Sequence, residues 1–310
     1  MPEEKHVFGG EWTTEKLNIL QKYLQAYVTV MKKQRFTLYY IDAFAGTGYR
    51  DEKIDDKIMD WEYLSLFPEM AENDSRQFLE GSARLALQVK PPFDHYIFVE
   101  INPSRCAELE LLKEEFPQLS DRINIINEDA NLYLRKLCYN KNWKREWARG
   151  VLFLDPYAMQ VEWDTIKAIA STEVFDLWYL FPVMAVNRLL KKDGKITEAN
   201  KKRLDRIFGT PHWKEAFYRR DYQSSILEFL DDKSVEVRSV KAADIKALKR
   251  FIIGRLEEVF PGVAKNPRVL YNSKNSPLFL FCFAVSTRST KGITVALRIA
   301  QAILGKQRGS

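Results

Sequence analysis

Four acidic residues each stand at the end of a short apolar run, in company that would let them meet a ligand. The first opens Asp42-Ala-Phe44-Ala-Gly46-Thr-Gly48. Two glycines after a strand permit positive φ and let a ligand approach the backbone closely. Asp42 would then sit beside that ligand and accept a hydrogen bond from an ammonium group, with Phe44 and Tyr49 nearby. The second ends Phe98-Val-Glu100-Ile-Asn102-Pro103. A carboxylate there can accept both hydroxyls of a ribose, while Asn102 before Pro103 has the form of a helix N-cap with Pro at the first helical position. The third, Asn127-Glu-Asp129-Ala130, offers Asp129 as a ligand acceptor or as a helix N-cap. The fourth is Phe153-Leu-Asp155-Pro156-Tyr157-Ala158, a carboxylate followed by a proline and an aromatic ring. A fifth segment, Glu80-Gly-Ser82-Ala-Arg84, reads Ser82 as an N-cap, with a helix N-terminus turned toward an anionic group.

These residues need a scaffold, and the hydrophobic pattern supplies one. Near-continuous apolar runs at 37–41, 95–99, 123–126, 151–154 and 175–180 read as strands buried on both faces. Helical patterns at 83–89, 103–116, 131–139 and 163–170 lie between them. That alternation gives βαβ units and a parallel sheet with helices on both sides. Two more strands, 268–271 and 278–285, are joined by the polar turn 272–277, too short for a crossover, so they form an antiparallel hairpin. The expected fold is a doubly wound α/β domain spanning 1–310, with a mostly parallel seven-stranded sheet whose last strand is reversed. Two insertions interrupt it, an acidic one at 49–80 and a basic helical one at 187–260. Both attach at C-terminal strand ends, the edge where open α/β sheets bind ligands.

The charge is divided between them. Residues 187–220 hold eleven Lys or Arg against four Asp or Glu, and residues 51–80 hold ten acids against three bases. A local basic patch points to a polyanion. We read Arg188, Lys191, Lys192, Lys201, Lys202, Arg203, Arg206, Arg219 and Arg220 as phosphate contacts, with Trp213, Phe217 and Tyr218 among them. Trp178, Tyr179 and Phe181 after the fifth strand either stack on a base or belong to the core. The acidic insertion serves as a lid or as a docking face.

Taken together, DAFAGTG, GSARLAL, FVEINP and FLDPYA resemble the three-Cys-motif partner (TcmP) family, over most of the chain. That family is similar to class I S-adenosylmethionine-dependent methyltransferases, whose sheet also ends in a reversed strand. The resemblance implies S-adenosylmethionine as cofactor, held by Asp42, Phe44, Gly46, Gly48, Ser82, Glu100, Asn102, Asp129 and Ala130, with Asp129 toward the adenine amine. It implies that Asp155, Pro156 and Tyr157 act on the target, since FLDPYA resembles the D-P-P-Y motif of amino-methyltransferases, although only one proline is present. A separate protein carrying a three-cysteine motif is the implied partner. Cys106, Cys138 and Cys282 of this chain are not that motif.

The 310-residue composition, 46% hydrophobic and 29% charged, is that of a globular protein and excludes collagen-like, disordered and coiled-coil chains. No run approaches the roughly 20 apolar residues of a membrane span. The opening MPEEKHVFGGEW is polar, without the apolar core of a secretory signal. Scattered cysteines and three dispersed histidines, His6, His95 and His212, suggest no metal. The expectation is a cytoplasmic methyltransferase acting on nucleic acid at a base amino nitrogen. The rivals are a non-catalytic scaffold of the same fold, and a small-molecule methyltransferase.

Overall fold

The computed structural model describes residues 11–45, 81–221 and 238–305. Gly46, Gly48, Tyr49, His6 and the acidic insertion fall outside those residues.

The chain begins with a helix not anticipated above, α1 (Glu11–Met31). Thr13, Lys16, Leu20, Tyr23, Leu24 and Tyr27 are buried at the three- and four-residue spacing of one helix face. The central units follow: β1 (Thr37–Ala43), α2 (Ser82–Gln88), β2 (His95–Glu100), α3 (Pro103–Glu115), β3 (Ile123–Asn127), α4 (Ala130–Asn140), β4 (Ala148–Leu154), α5 (Trp163–Ser171) and β5 (Phe175–Phe181). Each lies within a few residues of its expected bounds. Next come α6 (Val183–Leu189), α7 (Glu198–Phe208), α8 (Trp213–Phe217), β6 (Tyr218–Asp221), β7 (Arg238–Lys241) and α9 (Ile245–Glu257). The chain closes with β8 (Gly262–Val263), β9 (Arg268–Tyr271), β10 (Pro277–Val285) and α10 (Thr290–Leu304).

The main sheet runs β3-β2-β1-β4-β5-β10-β8, with β9 also paired to β10. The first five strands are parallel, and β10 runs antiparallel to β5. This is a doubly wound, mostly parallel α/β sheet. One correction concerns the count. The sheet has eight strands in seven positions, because β8 and β9 share the outermost place beside opposite ends of β10. β8 is only two residues long, below what a hydrophobic pattern can reveal.

Alternating side chains feed two cores. Tyr39, Ile41 and Ala43 join the core under α4 to α9, while Leu38 and Tyr40 face the one formed with α1, α2, α3 and α10. Residues 187–260 are not purely helical: β6 and β7 pair as an antiparallel ribbon, Arg219 opposite Val240. Among the described residues, no helix is long and apolar enough to cross a membrane.

Candidate functional site

β1, β2, β3 and β4 lie side by side, so their C-terminal ends bring Asp42, Glu100, Asp129 and Asp155 to one edge of the sheet. Asp42 pairs in register with Phe98 and Phe153, and Ala43 with Leu154, the residue before Asp155. The turns that follow are held in the left-handed region by non-glycine residues, Phe44 at φ 74° and Ala158 at φ 54°. Such strain persists only where the surroundings fix it, commonly at functional sites. The backbone N–H groups of Phe44 and Ala45 both donate to the Val99 carbonyl, at 3.1 and 2.9 Å, and tie the loop after β1 to the end of β2.

Asp42 is fully buried. Its Oδ2 accepts the Tyr40 hydroxyl at 3.1 Å. Its Oδ1 has no partner among the described residues. Burial lifts its pKa from 3.8 to about 7, and Asp155 adds to the rise. Ser82, Tyr40 and Lys16 pull the other way. Ser82 is not the N-cap of α2: Gly81 holds that position, and Ser82 is the buried first residue of the helix.

Asp155 is also buried, and its partner was not foreseen. The ammonium of Lys16, on α1, donates to Asp155 Oδ2, and both side chains are more than nine-tenths buried. The Lys16 Nζ also lies 4.9 Å from the centroid of the Trp12 ring. Thr13, one turn earlier on the same face, buries a hydroxyl without a partner among the described residues. Glu15 pairs with Arg268 at 2.5 Å, and Trp12 packs on Phe279 at 5.1 Å. The first turns of α1 thus close over the ends of β1 and β4. One sequence signal pointed to Lys16: a lysine occupying a place in an otherwise apolar helical stripe. Pro156 is buried and Tyr157 half-buried against the core.

Glu100 is buried, and its Oε1 accepts the Asn102 N–H at 2.7 Å. Asn102 is buried and caps α3, accepting from Ser104 and Arg105. The Asn127 side chain, unremarked in the sequence, donates to the Glu100 and Ile101 carbonyls at 3.0 and 2.8 Å and pins this turn. Asp129 caps α4 through the Leu132 N–H at 2.9 Å, and Ala130 is buried behind it.

The basic segment enters at the same edge, because α6 starts directly after β5. Arg188, Lys191, Lys192, Lys202, Arg206 and Arg219 are exposed. Lys201 pairs with Glu198, Arg203 bonds Asn200 at 2.7 Å, and only the backbone of Arg220 is described. The aromatic residues are not surface platforms. Trp213 and Phe217 are 1% exposed, with the indole N–H bound to Asp205 at 2.7 Å, and Tyr218 donates to the Lys191 carbonyl at 2.9 Å. Trp178, Tyr179 and Phe181 are core residues as well, because β5 is central and covered on both faces. His95 opens β2, stacked on Tyr39 at 4.6 Å, and His212 is exposed before α8.

No family model and no curated protein matches the chain. Similar solved structures include a protein of the DUF519 family model from Legionella pneumophila, at 14% identity over 96% of this chain and 94% of that one, with TM-score 0.43. Spermidine synthase from Thermotoga maritima follows at 12% identity over 96% and 75%, with TM-score 0.37. A candidate sarcosine dimethylglycine methyltransferase from Galdieria sulphuraria stands at 9% identity over 92% and 78%, with TM-score 0.31. Likeness at this level assigns no activity, and the three-Cys-motif partner family rests on the motifs alone.

Proposed function

We propose that this chain is an S-adenosylmethionine-dependent methyltransferase acting on nucleic acid at a base amino nitrogen, in concert with a separate partner protein. The observation that carries the reading is the buried pairing of Asp155 beside Asp42 at the ends of adjacent parallel strands. The residues fit the cofactor on one count above all. Asp42 Oδ1 is a buried acceptor without a partner among the described residues, suited to an ammonium group. Asp42 would hold that group, Glu100 the ribose hydroxyls and Asp129 the adenine amine, with Gly46 and Gly48 also assigned to the cofactor. When bound, the cofactor supplies an electrophilic methyl group on a sulfonium.

The chain's own residues then have one task, to present the target amine in line and dry. An exocyclic base amine is a weak nucleophile because its lone pair is delocalised into the ring. Acceptors aimed at its hydrogens favour the pyramidal form that attacks. Asp155 and the Pro156 peptide carbonyl would serve as those acceptors, with Asp155 receiving the proton released, and Tyr157 would stack on the base. Lys16 fixes the Asp155 carboxylate through Oδ2, and Oδ1 would be the oxygen offered to the target. The exposed cations Arg188, Lys191, Lys192, Lys202, Arg206 and Arg219 support a polyanionic substrate at the same edge.

Calorimetric titration with S-adenosylhomocysteine tests the pocket. Micromolar binding by the wild type, lost in Glu100→Ala, is the expected result. A tritiated-methyl screen over DNA, RNA and protein then finds the acceptor, with Asp155→Ala as the inactive control. Absence of binding by a well-folded wild type rejects the stand-alone enzyme. A second reading, a methyltransferase-like binding module, draws on the fact that a lysine amine already occupies Asp155. It predicts affinity for cofactor or nucleic acid without methyl transfer under any condition.

A further inference from the structure

The opposite, N-terminal edge of the sheet carries a second set of residues with no part in the site above. Among the described tryptophans, Trp143, Trp163, Trp178 and Trp213 are at most 2% exposed, whereas Trp147 is 66% exposed. Its backbone sits at φ 50°, an uncommon conformation for a bulky residue. It is held there by its N–H on the Lys144 carbonyl and its carbonyl on the Thr37 N–H, both at 3.1 Å. The ring belongs to a ladder. The Arg149 guanidinium lies 4.6 Å from the Phe36 centroid, and Phe36 lies 6.2 Å from Trp147 at a tilt of 33°.

The surroundings are cationic. Lys32, Lys33 and Arg35 lead into Phe36 and are exposed, as are Lys144 and Arg145 beside Trp147. Residues 136–149 contain five Lys or Arg and one acid. That acid, Glu146, pairs with Lys141 at 2.9 Å, and the nearby Glu173 is shared by Lys144 and Arg288. An acidic peptide would answer the charges but leave the ring uncovered. A polyanion with flat, stackable faces answers both.

We propose that this edge binds single-stranded nucleic acid, one base continuing the Arg149–Phe36–Trp147 ladder and the flanking phosphates meeting Lys32, Lys33, Arg35, Lys144 and Arg145. The site stands apart from the reaction assigned to Asp155 and holds whether or not that reaction occurs.

Fluorescence anisotropy with a fluorescein-labelled single-stranded oligonucleotide of mixed sequence tests it. Trp147→Ala should weaken binding roughly 5- to 150-fold, the range for one lost base stack. Trp147→Phe, which keeps a ring, should retain most of the affinity. Lys32→Ala with Lys33→Ala should lower the slope of log affinity against log salt by about one to two. Equal affinity of Trp147→Ala and wild type overturns the proposal. So does the absence of oligonucleotide binding by the wild type, or displacement of the oligonucleotide by polyglutamate at equal charge, which would mark an acidic protein as the partner.

Discussion

Removing Lys16 from the buried pair is the sharpest test of the geometry. The two side chains are 8% and 7% exposed, so Lys16→Met leaves the Asp155 carboxylate in the interior without its counter-charge. Breaking a buried pair from one side costs roughly 3–5 kcal/mol, while an exposed pair contributes only about 0–1 kcal/mol. Burial decides between these values, and the larger one is expected. Methionine is nearly isosteric with the lysine stem, so little of the loss should come from packing. Urea unfolding at neutral pH gives the difference, with the m-value checked for constancy. Asp155→Asn added to Lys16→Met removes the stranded charge. The double variant should therefore recover much of the loss, giving a coupling of up to about 3 kcal/mol between the sites. A cost below about 1 kcal/mol for Lys16→Met, or simple additivity in the double variant, would falsify the buried pairing.

Three further outcomes follow from the same contacts. Asp42 has a folded pKa of about 7 against 3.8, so the folded state holds its proton more tightly and stability falls as pH rises between those values; Asp42→Asn should stabilise the protein by at most about 4 kcal/mol above that window and not below it, by urea unfolding across pH, while abolishing S-adenosylhomocysteine binding. Gly209 ends α7 at φ 65°, and an added Cβ would lie 2.0 Å from the Trp163 ring, so Gly209→Ala should cost roughly 2–4 kcal/mol from backbone strain and overpacking together, read as a lowered melting temperature. If the basic segment meets phosphates, Lys191→Ala with Lys192→Ala should reduce the salt slope of nucleic-acid binding by about two at low sequence dependence; an unchanged slope assigns those lysines another role.

Strands β1, β2, β4 and β5 were legible because both their faces are buried, which writes a near-continuous apolar run into the chain, and β3, at the sheet edge and only partly buried, was legible from its isoleucines. Helices α2 to α5 were legible from their periodicity and, for α3, from Asn102 and Pro103. The acidic residues at the strand ends were legible because each interrupts such a run. The features missed have equally definite causes. The pattern of α1 is diluted by Thr13 and Lys16 in its buried stripe. β8 is too short to carry a pattern, and the β6–β7 ribbon is one short strand pair in a charged segment. Trp213 and Phe217 read as surface residues because their neighbours in sequence are charged, yet the small helix α8 turns both into the core, with Phe217 against Phe208 and Phe251.

Local sequence by itself therefore determined the order of the central βα units, the direction of their strands and the edge at which the acidic residues gather. Those follow from side-chain periodicity and connection length, which are properties of neighbouring residues. Only the tertiary structure decided that a lysine 139 positions away closes on Asp155, that the Asp42 carboxylate is fully buried beside it, and that one tryptophan in six described is left outside. Those outcomes depend on which surfaces are packed together, and burial is what turns a carboxylate, a hydroxyl or an indole into a specific partner.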